Sequence, residues 1–122
     1  MREKRFLNAL NAFIEYPRIH GAPMGKIAVW AGVESLFAVE SELRFRLALL
    51  ISYYLEQDAA KRRSLFESVK QLYNARSSIV HGTNPDPQDV RQRLNEVAEL
   101  LRRCLLKCIE EEAIPNEANL LF

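Results

Sequence analysis

Two residues in the second half of the chain have types and spacing suited to chemistry. They are Arg76 and His81, in the run Leu72-Tyr73-Asn74-Ala75-Arg76-Ser77-Ser78-Ile79-Val80-His81-Gly82. Leu65, Val69, Leu72 and Ile79 recur at steps of four, three and seven, so the missing member of this helical stripe is position 76, an arginine. A guanidinium on a buried stripe is costly unless it meets a carboxylate, a phosphate or a water-filled cleft. A partner or a ligand is therefore expected at Arg76, and Gly82 is the natural stop of its helix.

A charge of the opposite sign interrupts a second stripe. Ile27, Trp30, Ala31, Leu36 and Phe37 are the apolar members of a helix beginning near Lys26, and Glu34 falls between Trp30 and Phe37 on the same face. If the two seams face one another, Glu34 and Arg76 form an inter-helix ion pair. The alternative places Glu34 at the edge of its seam, in solvent or against Arg44 or Arg46.

The elements that must position these residues are all helical. Phe6, Leu7, Leu10, Phe13 and Ile14 predict an amphipathic helix over residues 2–16, ended by Pro17. Residues 17–25 hold two prolines and two glycines and read as a loop. Ser41 is a candidate cap for a third helix with Leu43, Leu47, Leu50 and Tyr54 on its stripe, so apolar that the bundle or a second copy must surround it. Whether residues 39–41 form a kink or a turn is open. Asp58 is a candidate cap for the helix that leads to Arg76. Asp86, Pro87 and Asp89 suit the start of a last long helix carrying Val90, Leu94, Val97, Leu101, Cys104 and Cys108, which Pro115 follows. No strand pattern, phosphate-binding glycine loop, serine elbow or internal repeat stands out. The expected fold is all-α, a bundle of four or five helices in one domain over residues 1–122, with residues 112–122 as a tail that docks on the bundle or on a neighbour.

Composition excludes several classes of function. Seventeen basic against sixteen acidic side chains leave a formal charge of +1, so any nucleic-acid contact must be local. The Lys61-Arg62-Arg63 cluster reads first as a solvated face and second as a phosphate path. No apolar run is long enough to span a membrane and no leader pattern is present, so a soluble, cytoplasmic protein with no membrane partner is expected. Cys104 and Cys108 share one helical face and are expected to be buried reduced thiols. His20 has no carboxylate or cysteine cluster beside it and reads as a solvated loop residue. A zinc site would need two ligands beyond the cysteines, so neither metal nor cofactor is expected.

Three segments together resemble a HEPN domain, and most of all its Apea-like branch. They are Trp30-Ala31-Gly32-Val33-Glu34-Ser35-Leu36-Phe37, Leu43-Arg44-Phe45-Arg46-Leu47-Ala48-Leu49-Leu50, and Leu72-Tyr73 through Arg76-Ser77 to Ile79-Val80-His81-Gly82. The likeness covers about residues 27–109. It implies a helical bundle that forms a homodimer in which the Arg-x4-6-His motifs of two chains meet in one cleft, which in active members cuts RNA without metal. On that likeness His81 acts as general base on a ribose 2′-hydroxyl or as acid toward the leaving oxygen. Arg76 holds the scissile phosphate, and the product is a 2′,3′-cyclic phosphate. Toxin or antiviral-defence ribonucleases, with an antitoxin or other protein partner, belong to the same picture.

Helical geometry bears on the motif separately. Five residues at about 100° each put Arg76 and His81 about 140° apart around an ideal helix. Either the helix unwinds before His81, or each pair converges with the pair of another chain. Catalytic members often carry Asn, Asp or His directly after the arginine, where this chain has Ser77, whose hydroxyl can bond a phosphate but cannot titrate. The rival expectation is a noncatalytic module that binds RNA, a nucleotide or a protein. Arg76 then ties its helix to Glu34, His81 satisfies carbonyls at a helix C-terminus, and Tyr73 is a core aromatic rather than a base-stacking one.

Overall fold

The computed structural model describes residues 4–19, 21–39, 41–80 and 87–121. Among them the chain forms an all-α bundle with no strand: α1 Lys4–Glu15, α2 Ala22–Phe37, α3 Leu43–Leu55, α4 Ala59–Val80, α5 Pro87–Glu111 and the short α6 Glu117–Leu121. None of these helices is long and apolar enough to cross a membrane.

The core gathers around α2, which packs against α1 and α5. Gly32 sets the closest approach. A methyl group on it would lie 2.7 Å from Ala12 Cβ of α1 and 3.4 Å from Leu101 Cδ2 of α5, and one on Gly25 would lie 3.5 Å from Leu94 Cδ2. The matched seven-residue steps, 25 to 32 and 94 to 101, show α2 and α5 running in the same direction. This approach also rotates α1 relative to the expected stripe. Phe6 and Ala9 are buried and Leu10 and Phe13 pack on the core, whereas Leu7 and Ile14 face solvent. The line of small residues Ala9 and Ala12, not the line of largest side chains, lies against Gly32.

Two expected boundaries move. The loop expected over residues 17–25 ends early: a 3-10 turn covers Tyr16–Arg18 and α2 starts at Ala22, with Gly21 at φ 89° and Gly25 N donating to Gly21 O at 3.1 Å. Pro23 fits inside the first turn because the amide hydrogen it lacks would have had no intrahelical acceptor. Ser41 does not cap α3. The chain enters α3 through a left-handed residue, Glu42 at φ 51°, with no side-chain cap.

The break before it is a true turn. Ala38 is left-handed at φ 55°, its N–H donates to Ser35 O at 3.2 Å, and Val39 N–H donates to Glu34 O at 3.3 Å, closing α2 in a Schellman arrangement with Val39 buried. Arg5 satisfies the neighbouring carbonyls, donating from Nε to Ser35 O and from Nη2 to Leu36 O and to Pro115 O. It thus ties α1, the end of α2 and the segment after α5 together.

α3 and α4 form an antiparallel hairpin. Arg44 reaches Asn74, Phe45 meets Phe66, and Arg62 stands 4.1 Å over the Tyr53 ring. Asp58 Oδ2 accepts the Lys61 amide hydrogen at 3.0 Å, the expected N-cap of α4, which contributes about 1 kcal/mol. The bundle itself buries α3 through Leu47, Leu50, Ile51 and Tyr54, and α6 docks on it, with Leu120 and Leu121 against the core.

Along α5, Leu94, Val97, Leu101, Cys104 and Cys108 are buried as their spacing predicts, and both cysteines are free thiols. Tyr54 Oη and Cys108 Sγ are hydrogen-bonded at 3.3 Å. Burial pushes both thiols and the Tyr54 hydroxyl above their ordinary ranges, outweighing the lowering effect of the Tyr54 bond on Cys108. The folded chain therefore keeps protons that the unfolded chain releases above about pH 8.5. Stability from these groups is complete below that pH and falls as pH rises beyond it. The urea midpoint is expected to hold steady from about pH 7 to 8 and to drop progressively above about pH 8.5, less steeply in Cys104→Ala. A midpoint unchanged up to about pH 10 would contradict the burial of the thiols.

Candidate functional site

Leu72 to Val80 occupy the last turns of α4. The helix continues to Val80, so Arg76 and Ser77 both lie on it; of residues 75–80 the helical backbone alone is described, and His81 lies outside the described residues. Upstream, Val69 and Leu72 are buried and seat α4 on the core. Tyr73 makes the junction with α2, its half-buried ring meeting Trp30 edge-on with centroids 5.1 Å apart at 79°. Trp30 has no solvent exposure. Tyr73 is thus a packing aromatic, and Arg76 follows it by three residues, on the same side of the helix.

Glu34 lies one turn beyond Trp30 on α2. Its Oε1 atom is buried, while the residue as a whole is half-buried. Arg44 and Arg46 have other engagements: Arg44 Nη1 donates to Asn74 Oδ1 at 3.1 Å, and Arg46 lies 3.8 Å from Glu42 and 4.0 Å from Glu117. An ionised carboxylate with an oxygen stripped of water is stable only where donors or a cation within the fold replace the lost hydration. The Glu34–Arg76 pair anticipated from the sequence rests on a side chain outside the described set. The Arg44–Asn74 bond fixes α3 against the same turn of α4 that leads into Arg76.

Lys26 is the residue that sequence reading missed. It is 1% exposed and lies one turn before Trp30, so Lys26, Trp30 and Glu34 follow one another at four-residue steps along one side of α2. That spacing was the available signal, since a lysine four residues ahead of a core tryptophan continues the buried stripe as Glu34 does. The face of α2 that receives Tyr73 therefore carries a buried ammonium on one side and a buried carboxylate oxygen on the other. Trp30 Nε1, between them, is buried and meets no hydrogen-bond acceptor among the described residues.

Such a polar seam inside an apolar bundle can orient a guanidinium on the facing helix. Among the described residues, no cluster of three or more His, Cys, Asp or Glu is placed to hold a metal ion. No protein-family model matches the chain, and no curated protein or solved structure matches it.

Proposed function

We propose that the chain is a metal-independent endoribonuclease whose composite site, Arg76 and His81 from each of two copies, forms at a homodimer interface. The observation that carries this reading is the buried Oε1 of Glu34 on the α2 face that receives Tyr73. A carboxylate oxygen placed inside a core is costly, and the cost is offset if it orients a nearby cation. Arg76 is the nearest cation to Tyr73 in the sequence of α4 on the C-terminal side. The all-α architecture and the likeness of the three segments to HEPN domains, including toxin and antiviral-defence ribonucleases, support the same reading.

In this mechanism a ribose 2′-oxygen attacks the adjacent phosphorus while one imidazole takes the 2′-hydroxyl proton. The P–O5′ bond breaks, and the leaving oxygen takes a proton from the second copy's imidazole. Arg76 neutralises the charge gathering on the non-bridging oxygens, and the products are a 2′,3′-cyclic phosphate and a 5′-hydroxyl. Ser77 contributes at most a neutral hydrogen bond.

The test is incubation of purified protein with mixed RNA in EDTA. Cleavage with cyclic phosphate ends is expected, reduced about 100-fold or more in both Arg76→Ala and His81→Ala, each with an unchanged circular dichroism spectrum. Intact RNA with the wild-type dimer, or a strictly monomeric protein, would overturn the reading. What would then remain is a noncatalytic module that binds RNA, a nucleotide or a protein partner such as an antitoxin.

A further inference from the structure

Charge is unevenly spread along this near-neutral chain. Over residues 43–74, Arg44, Arg46, Lys61, Arg62, Arg63 and Lys70 stand against only Glu56, Asp58 and Glu67. Elsewhere, four surface cations sit beside a carboxylate three or four residues away: Arg18 with Glu15, Arg93 with Glu96, Arg102 with Glu99 and Lys107 with Glu111. Arg62 and Arg63, like Arg44 and Lys61 in the same segment, form no ion pair among the described residues. The acidic residues that could have served them are engaged, since Glu56 Oε1 accepts from Arg103 at 2.9 Å, Asp58 caps α4, and Glu67 lies 3.7 Å from Lys70.

These two arginines border an open cleft of about 250 Å³ between the C-terminal half of α3 and the first turns of α4, with Tyr53, Phe66 and Ser52 among its other walls. Arg62 is fixed there, its guanidinium carbon 4.1 Å above the Tyr53 ring and its Nε donating to Glu56 O at 2.9 Å. A guanidinium has five N–H donors, so one bond to a carbonyl leaves four for an acceptor in the cleft. Arg63 is exposed. Phe66 meets Phe45, which is 53% exposed, at 5.7 Å and 85°, extending the aromatic surface along the hairpin.

Uncompensated arginines beside stacking rings suit an anion joined to a flat aromatic group. We propose that this cleft is a subsite for one nucleotide of a single-stranded RNA, with the phosphate on Arg62 and Arg63 and the base stacked on the Arg62–Tyr53 pair or on Phe66. The choice of RNA as the source of that nucleotide rests on the ribonuclease reading; the cleft chemistry does not. Position 62 lies about 21 Å along α4 from position 76, so the subsite would hold the strand at a distance from the cut rather than at it.

The test is fluorescence anisotropy with a 2′-O-methyl RNA of about 12 nucleotides, which the protein cannot cut, in EDTA at several salt concentrations. Arg62→Gln/Arg63→Gln is expected to bind about tenfold or more weakly and to lower the slope of log K against log salt by about 1.4. Arg63→Gln alone, an exposed change that leaves the Tyr53 stack intact, gives about half that slope change. The control Arg18→Gln/Arg102→Gln removes as much charge elsewhere and is expected to bind within about twofold of wild type. Free UMP or AMP at millimolar level is expected to leave the bound RNA in place; displacement at low micromolar concentration would mean a free-nucleotide site and overturn the assignment to RNA. No binding by wild type, or equal weakening by cleft and control pairs, would overturn the subsite itself. Binding without cleavage of natural RNA removes the ribonuclease reading and leaves the cleft. Cleavage with binding unaltered in the cleft variants does the reverse.

Discussion

Trp30→Ala is expected to lower the free energy of unfolding by about 3–5 kcal/mol, read as a fall in the urea midpoint with the slope unchanged. Trp30 is the only tryptophan and has no solvent exposure, and its T-shaped contact with Tyr73 joins α2 to α4. Truncation leaves a cavity between two helices that touch at few other points, and it also removes the support for the turn that leads into Arg76. Trp30→Phe separates packing from polarity. It keeps an aromatic partner for Tyr73 and deletes an indole N–H that meets no acceptor among the described residues, so its cost is expected to stay under about 1.5 kcal/mol. A loss below about 1 kcal/mol in Trp30→Ala would contradict the placement of Trp30 at the centre of the core.

Gly32→Val is expected to destabilise by about 1–3 kcal/mol or more, whereas Gly25→Ala is expected to be neutral or stabilising by up to about 1 kcal/mol. Both glycines lie within α2, where glycine is a poor helix former, so helix propensity alone favours replacing either. Space decides the sign. A β-carbon on Gly32 meets the Ala12 methyl at 2.7 Å, and that methyl is the rigid stub of another helix, so α1 must move. On Gly25 the nearest atoms, Tyr16 O at 3.4 Å and Leu94 Cδ2 at 3.5 Å, are at ordinary contact distance. Thermal or urea unfolding of the two variants checks the contrast, and equal effects would contradict the close α1–α2 approach.

Two members of the candidate site stood out in the sequence because periodicity exposes its exceptions. Arg76 and Glu34 were visible as charges on apolar stripes, and the structure adds that Oε1 of the half-buried Glu34 is shielded from solvent. Lys26 was overlooked because the prolines and glycines of residues 17–25 suggested that the helix had scarcely begun there, when it starts at Ala22. Arg5 satisfies carbonyls from two distant segments, a role that no local pattern encodes.

The amino-acid sequence by itself determined the all-α class, the stripe of α5 with its paired cysteines, the Asp58 cap and the position of the arginine on α4. Each follows from interactions within about four residues, the reach of a helical turn. Only the tertiary structure decided that Ala9 and Ala12 rather than Leu7 face the core, that Ala38 after α2 and Glu42 before α3 are both left-handed, and that Tyr53, Arg62 and Phe66 border one cleft. Those outcomes depend on which helix comes nearest to which, a competition among contacts between residues far apart in the chain that local spacing cannot rank.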